Sequence, residues 1–303
     1  MYLTLGQSEN RAVMIPILMQ ALRRHDVGNY QKLTSANAFV YQVGEDYVKF
    51  PNMLRAEKAL RREIELSNFL SKRVSFSVPY FEYGQITTCL NGADYNLFFA
   101  KSKKIRGIPL YQATMRAIPH TTFATSLVDV LEELHSINIT DISALGVPSF
   151  KARIGKLMGT VIQSDQTHIQ TKKSIFNKIR SQLGANEKDV LCHRDLHGAN
   201  IFVNPLSGVV TGLLDFGMAE VAPPAIEIAD MSVYANMGLV SRIAEMYRMK
   251  TGRDLGNLYL YHAGDRNKWL QGLITSCAKE LNVPIKIISN QISRVEKHGR
   301  VNG

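Results

Sequence analysis

The residues best suited to chemistry in this chain of 303 residues lie in His193-Arg-Asp-Leu-His-Gly-Ala-Asn-Ile-Phe-Val203 and in Gly212-Leu-Leu-Asp-Phe-Gly217. An Asp, an Asn five positions later just before a strand, and a second Asp ending the next strand form the arrangement that phosphoryl transfer requires. One carboxylate must orient an acceptor hydroxyl and take its proton, and Asp195 stands where that group is needed. Two oxygen donors must hold Mg²⁺ against the phosphates, because Mg²⁺ is a hard ion completed by water and phosphate oxygens; Asn200 and Asp215 suit that task. His-Arg-Asp or Asp-Phe-Gly alone would be an ordinary loop tripeptide. Both in order, with the Asn between them and a strand, turn and strand separating the two acids, predict a Mg²⁺-dependent kinase that uses ATP or GTP.

Such an enzyme also needs a strand lysine, held by a helix carboxylate, to meet the α- and β-phosphates. Lys49 sits within the β-rich run Tyr47-Val-Lys-Phe50, and the helical segment from Leu54 to Leu70 offers two acids, Glu63 and Glu65. At helical spacing Ala59, Glu63, Leu66 and Leu70 share one stripe, whereas Arg61, Glu65, Asn68 and Lys72 share another. A carboxylate on the apolar face requires a cation, since burying it alone is costly, so Glu63 is the expected partner of Lys49; the alternative is a surface ion pair with an arginine one turn away. A phosphate-covering turn is expected at Ser35-Ala-Asn-Ala38, where Ser35 and backbone N–H groups could bind phosphate. The turn contains no glycine, and an ordinary β-turn is the competing reading.

The elements that must carry these residues fall into two groups. Phe39–Val43 and Tyr47–Phe50 read as a hairpin, followed by the Leu54–Leu70 helix and by strands around Tyr80–Tyr83, Gln85–Leu90 and Tyr95–Ser102. After Arg106-Gly107-Ile-Pro109 the pattern turns helical: Thr122–Ser136, Ser149–Gln163 and Thr171–Leu183, with helices resuming from about Ile226 to Lys250 and again from about Asn267 to Leu281. Short strands at Ile201–Val203 and Val209–Leu214 interrupt it. The expected fold is α+β and two-lobed: residues 1–104 form a nucleotide-binding lobe of a small sheet and a helix, and residues 105–303 a mostly helical catalytic and substrate-binding lobe.

Composition narrows the classes further. The net charge of +10 invites a nucleic-acid partner, but the excess is divided equally, +5 in residues 1–104 and +5 in the remainder, and aromatic residues do not interleave with the basic ones. No nucleic-acid partner is expected. Val13–Leu22 is apolar at helical spacing but too short to span a bilayer and lacks a cleavage site, so it reads as a helix packed on the first lobe, and no membrane insertion is expected. Cys89, Cys192 and Cys277 are widely spaced and read as reduced thiols of a cytoplasmic protein.

From about Leu33 to Tyr234 the chain resembles the aminoglycoside phosphotransferase and choline kinase family, which is similar in fold to protein kinases. The family's catalytic loop reads H-G-D-x-H-x-x-N, matched by Asp195, His197 and Asn200; its metal-binding Asp is matched by Asp215. Leu131-Glu-Glu-Leu-His-Ser-Ile137 and Arg106-Gly-Ile-Pro-Leu110 resemble two further family segments. The resemblance implies transfer to a small hydroxylated molecule, an aminoglycoside or a metabolite such as choline or a sugar. For a polycationic acceptor, Glu245, Asp254 and Asp265 could form a local acidic pocket. A protein or lipid-sugar kinase, or a nucleotide-binding module without catalysis, is the alternative. Arg194 replaces the family's usual Gly, and is expected to contact a nearby carboxylate. Glu227 and Asp230 compete for the acid that braces the catalytic loop.

Overall fold

The computed structural model describes residues 11–33, 38–90, 93–113, 120–162, 169–183, 187–232, 235, 237–256, 266–281 and 283. Ser35 with its expected turn, and Asp265, lie outside the described residues. In chain order the elements are α1 (Arg11–Leu22), β1 (Gln31–Leu33), β2 (Ala38–Val43), β3 (Asp46–Pro51), α2 (Leu54–Leu70), β4 (Phe81–Leu90), β5 (Ala93–Lys103), β6 (Ile108–Pro109), α3 (His120–His135) and α4 (Ile139–Ser143). They continue with α5 (Phe150–Val161), α6 (Ile169–Gln182), β7 (Val190–Cys192), β8 (Ile201–Val203), β9 (Val210–Leu213), β10 (Glu220–Ala222), α7 (Pro224–Met231), α8 (Met237–Thr251) and α9 (Arg266–Glu280). The chain groups into two compact units, Met1–Val147 with Asp195–Ala219, and Pro148–Arg194 with Glu220–Gly303. This grouping by packing cuts the chain at other points than the lobe division expected at residue 104.

In the first unit an antiparallel sheet of order β1-β2-β3-β5-β4 has a helix on each face. Met14, Ile17 and Leu18 of α1 pack with Tyr41, Val48, Phe50 and Ile86. Leu60 and Ile64 of α2 pack with Phe81, Phe98 and Ala100 from the opposite face. Strand side chains alternate, so with Val48 and Phe50 committed to α1, the intervening Lys49 is directed to the α2 face. This period of two delivers the lysine to the helix that carries Glu63.

Two details depart from expectation, the run of β4 and the presence of four very short elements. The strands read as Tyr80–Tyr83 and Gln85–Leu90 are one strand, β4, running through Gly84. A Cβ on that glycine would lie 3.1 Å from the Phe99 ring, so the residue that looked like a break is the one that lets β5 close on β4. The helical stretch expected over 226–250 comprises α7 and α8: α7 ends at Met231, where the Ser232 hydroxyl bonds back to the Ala229 carbonyl at 2.7 Å. β1, α4, β7 and β10 are too short to leave a periodic signature.

β6, β8 and β9 form a second small sheet in the same unit. Ser77 bridges to it: its N–H donates to Thr211 O at 2.8 Å and its carbonyl accepts from Leu213 N at 3.0 Å. Gly212 makes this approach possible, since a Cβ there would stand 2.5 Å from the Ser77 carbonyl oxygen. Gly212→Ala is expected to force the backbones apart and to lower stability by about 1–3 kcal/mol in denaturant unfolding; an unchanged midpoint would mean that the strand accommodates the methyl group.

The second unit is helical, with α5, α6 and α9 packed on one another through buried residues such as Ile154, Ile175, Ile179 and Ile274. Every residue of α7 is buried. β7 and β10 pair antiparallel, with Glu220 opposite Cys192. Among the described residues, no helix is long and apolar enough to cross a membrane.

Candidate active site

The first unit brings together five of the residues expected to do chemistry. Lys49 Nζ lies 2.7 Å from Glu63 Oε1 and 5.4 Å from the centre of the Phe81 ring. Glu65, the competing acid, is exposed, and the surface pair on this helix is Arg61 with Glu57. Burial works against the Lys49 ammonium, but the carboxylates of Glu63 and Asp215 outweigh it and raise the lysine above its ordinary pKa. The lysine is therefore a fixed positive charge throughout the neutral range.

Asp195, His197 and Asn200 form a short turn closed by its own backbone: His197 N–H donates to Asp195 O, and Asn200 N–H to His197 O, each at 2.9 Å. The Asn200 amide nitrogen lies 2.9 Å from Asp195 O, 3.3 Å from Asp195 Oδ2 and 3.1 Å from His197 Nε2. Its nitrogen is thereby directed at the protein, leaving the amide oxygen as a donor for a cation. Leu214 N–H donates to Asn200 O at 2.9 Å, and Ile201 pairs with Leu213 across β8 and β9. This register sets Asn200 beside the strand end from which Asp215 projects.

Asp215 occupies the left-handed region, φ 63° and ψ 68°, which Asp tolerates better than most residues. Its Oδ1 accepts from Gly217 N–H at 3.3 Å, and Phe216 is buried beneath the turn. Arg62 Nη2 donates to Gly217 O at 2.8 Å, tying α2 to this turn. A Cβ on Gly217 would lie 3.1 Å from Asp215 Oδ1 and 3.9 Å from Glu63 Oε2, so the glycine keeps the two carboxylates close to the one lysine. The donor set, an amide oxygen and a carboxylate on adjacent strand ends, fits a hard divalent cation such as Mg²⁺.

The second unit holds a separate buried ionic cluster around the two residues that precede Asp195 in the chain. Glu227 accepts from the backbone N–H groups of both His193 and Arg194, the latter at 3.0 Å. Arg194 is 3% exposed; its Nε donates to Asp230 and its Nη1 to Glu220. Arg153 Nε lies 3.0 Å from Glu220 Oε1. Burial works against the Arg194 charge, but Asp230 and Glu220 together raise its pKa above the ordinary arginine value. The backbone at Arg194 is left-handed, φ 70°, a conformation that glycine adopts more readily than arginine. The choice between Glu227 and Asp230 resolves into two jobs, one carboxylate for the backbone and one for the side chain.

His135 and His193 are buried, as is Cys192, whose thiol burial pushes up in pKa, with Glu227 adding to the effect. A raised thiol is a poor nucleophile. Glu245 and Asp254 are exposed. Arg62, Glu220 and Arg153 were not singled out in the sequence: each acts across a long loop, and no motif marks them.

The sequence matches the profile of a family described as the phosphotransferase enzyme family over residues 29–262. No curated protein matches the chain in sequence. Several solved structures share its fold. The GDP complex of wild-type aminoglycoside 2'-phosphotransferase-IIIa is 18% identical with a TM-score of 0.61, over 89% of this chain and 90% of that one. The streptomycin–ATP ternary complex of APH(2")-IIa is 16% identical with a TM-score of 0.57, over 91% and 97%. The macrolide 2'-phosphotransferase MphH from Brachybacterium faecium is 16% identical with a TM-score of 0.58, over 90% and 93%.

Proposed function

Because this chain belongs to the phosphotransferase enzyme family, we propose that it moves the γ-phosphoryl group of ATP or GTP directly to a hydroxyl of a small molecule. The observation that carries this reading is the convergence of Asp195, Asn200 and Asp215 on one turn and the adjoining strand ends, in the same unit as the Lys49–Glu63 pair. Residues 1–104 act as the nucleotide lobe and residues 105–303 supply the catalytic and acceptor side.

In this reading Asp195 accepts the proton of the acceptor hydroxyl as its oxygen attacks the γ-phosphorus. The bond from that phosphorus to the β–γ bridging oxygen breaks, and the nucleoside diphosphate leaves with the electron pair. Lys49, kept cationic and oriented by Glu63, meets the α- and β-phosphates. Asn200 and Asp215 would hold Mg²⁺, which would supply neutralisation of phosphate charge. Ser35 is proposed to add a hydroxyl over the phosphates. Neighbours solved with GDP and with ATP support a nucleotide donor, and the streptomycin complex and the macrolide enzyme support a hydroxylated acceptor. The three free thiols support a cytoplasmic setting, where the nucleotide pool lies.

Arg194 would have favoured a protein-kinase-like enzyme had it been available to sense phosphate. It is buried against two carboxylates instead. The deciding experiment incubates purified protein with γ-labelled ATP or GTP and a panel of aminoglycosides, macrolides, amino alcohols, sugars and protein extract. Label is expected in a small molecule; label only in protein would overturn the acceptor class, and nucleotide binding without transfer to any acceptor would favour a non-catalytic module.

A further inference from the structure

Apart from the residues above, the first unit contains a groove of about 600 Å³ between the end of α2, the 74–80 loop and the 101–106 segment, which runs from the last residues of β5 out of the sheet. None of Lys49, Glu63, Asp195, Asn200 or Asp215 lines it. Five cations do, Arg24, Lys101, Lys103, Lys104 and Arg106, against two carboxylates, Asp46 and Glu82, a surplus of three positive charges.

The pairing within the groove shows where that surplus stands. Asp46, nearly buried, is shared by Arg24 and by Lys103, the latter at 2.7 Å, which leaves one positive charge on the trio. Lys101 and Glu82 pair at 3.0 Å and cancel. Lys104 and Arg106 are exposed and have no carboxylate partner among the described residues. Ser77 and Ser102 add hydroxyls, and Tyr80, 53% exposed, adds an aromatic ring.

We propose that this groove is a second anion site, distinct from the catalytic centre, which takes a small ligand bearing a phosphate or polyphosphate group. Concave shape and volume match a small molecule better than a polymer, which would need an extended basic face. Guanidinium and ammonium donors beside hydroxyls are the usual partners of phosphate oxygens. The ligand would neutralise charge that the protein leaves uncompensated.

Calorimetric titration of the full chain with magnesium-free pyrophosphate is the test. Binding is expected in the unsubstituted chain, is expected to survive Lys49→Ala, and is expected to weaken by about tenfold or more in Lys104→Glu/Arg106→Glu. Both substituted side chains are exposed, so the fold should tolerate them. In the unsubstituted chain the amide resonances of Ser77 and Ser102 are expected to shift on titration, a readout that needs no variant. Absence of binding, unmoved Ser77 and Ser102 resonances, loss of binding in Lys49→Ala, or retention of full affinity in the double variant would each overturn the site. Citrate binding as tightly as pyrophosphate would overturn its assignment to phosphate.

Discussion

Replacing Asp195 by Asn is expected to lower kcat by about a hundred- to ten-thousand-fold, the usual worth of a general base, while Mg²⁺–nucleotide binding remains near normal. The substitution is nearly isosteric, and the Asn200 amide keeps its bond to the residue 195 carbonyl, which does not depend on the side chain. The turn should therefore survive with only the proton acceptor lost. Nucleotide affinity by titration and acceptor turnover by labelled transfer separate the two effects. A variant that keeps wild-type turnover would remove Asp195 from the chemistry, and one that loses nucleotide affinity in step with turnover would assign it a structural task.

Arg194→Ala is expected to destabilise the protein by about 3–5 kcal/mol, because it leaves Asp230 buried without its paired cation and takes from Glu220 one of its two arginines, Arg153 being the other. Glu220 and Asp230 are 3% and 1% exposed, so bulk solvent does little to compensate their charge. Arg194→Gly separates strain from charge. It loses the same ion pairs but suits the left-handed backbone, and should be more stable than the Ala variant by about 1–2 kcal/mol. Equal stability of the two would mean that the backbone at 194 relaxes.

The Arg194→Ala loss should also depend on pH. Burial already raises Asp230 above its ordinary 3.8, although Arg194 opposes the shift. Removing the arginine raises the folded-state pKa further. An acid with a raised folded pKa contributes stability that is complete below the unfolded value and is lost as pH rises through the folded one. The variant's deficit should therefore be largest near pH 7 and above, and should shrink as the pH approaches 4, as followed by thermal unfolding. A deficit independent of pH would point to lost packing alone.

The residues proposed for chemistry were legible because they obey local rules. Lys49 lies one position from two core residues on a strand of period two, and Glu63 lies on the apolar stripe of an uninterrupted helix. Their meeting follows from those two periods once the strand and helix pack face to face. Asp195, Asn200 and Asp215 are close in sequence and are joined by a short antiparallel pair, so their spacing carried their arrangement. The local rule misleads at Gly84, where a glycine inside a continuous strand has the look of a break.

Fold class, the strand that presents Lys49, the helix face that presents Glu63 and the order of the two acids around Asn200 all follow from local sequence. Backbone periodicity and short loops decide these within a few residues. Long-range packing is what brings Arg194 to Glu220 and Asp230, which lie 26 and 36 positions away, Glu227 to the backbone, and Arg62 to Gly217 across 155 positions. It alone gathered Arg24, Lys103, Lys104 and Arg106 around one groove. Charge is visible in a sequence, but which charge meets which depends on the packing of apolar faces between them. That packing is non-directional, and its outcome is written in no local pattern.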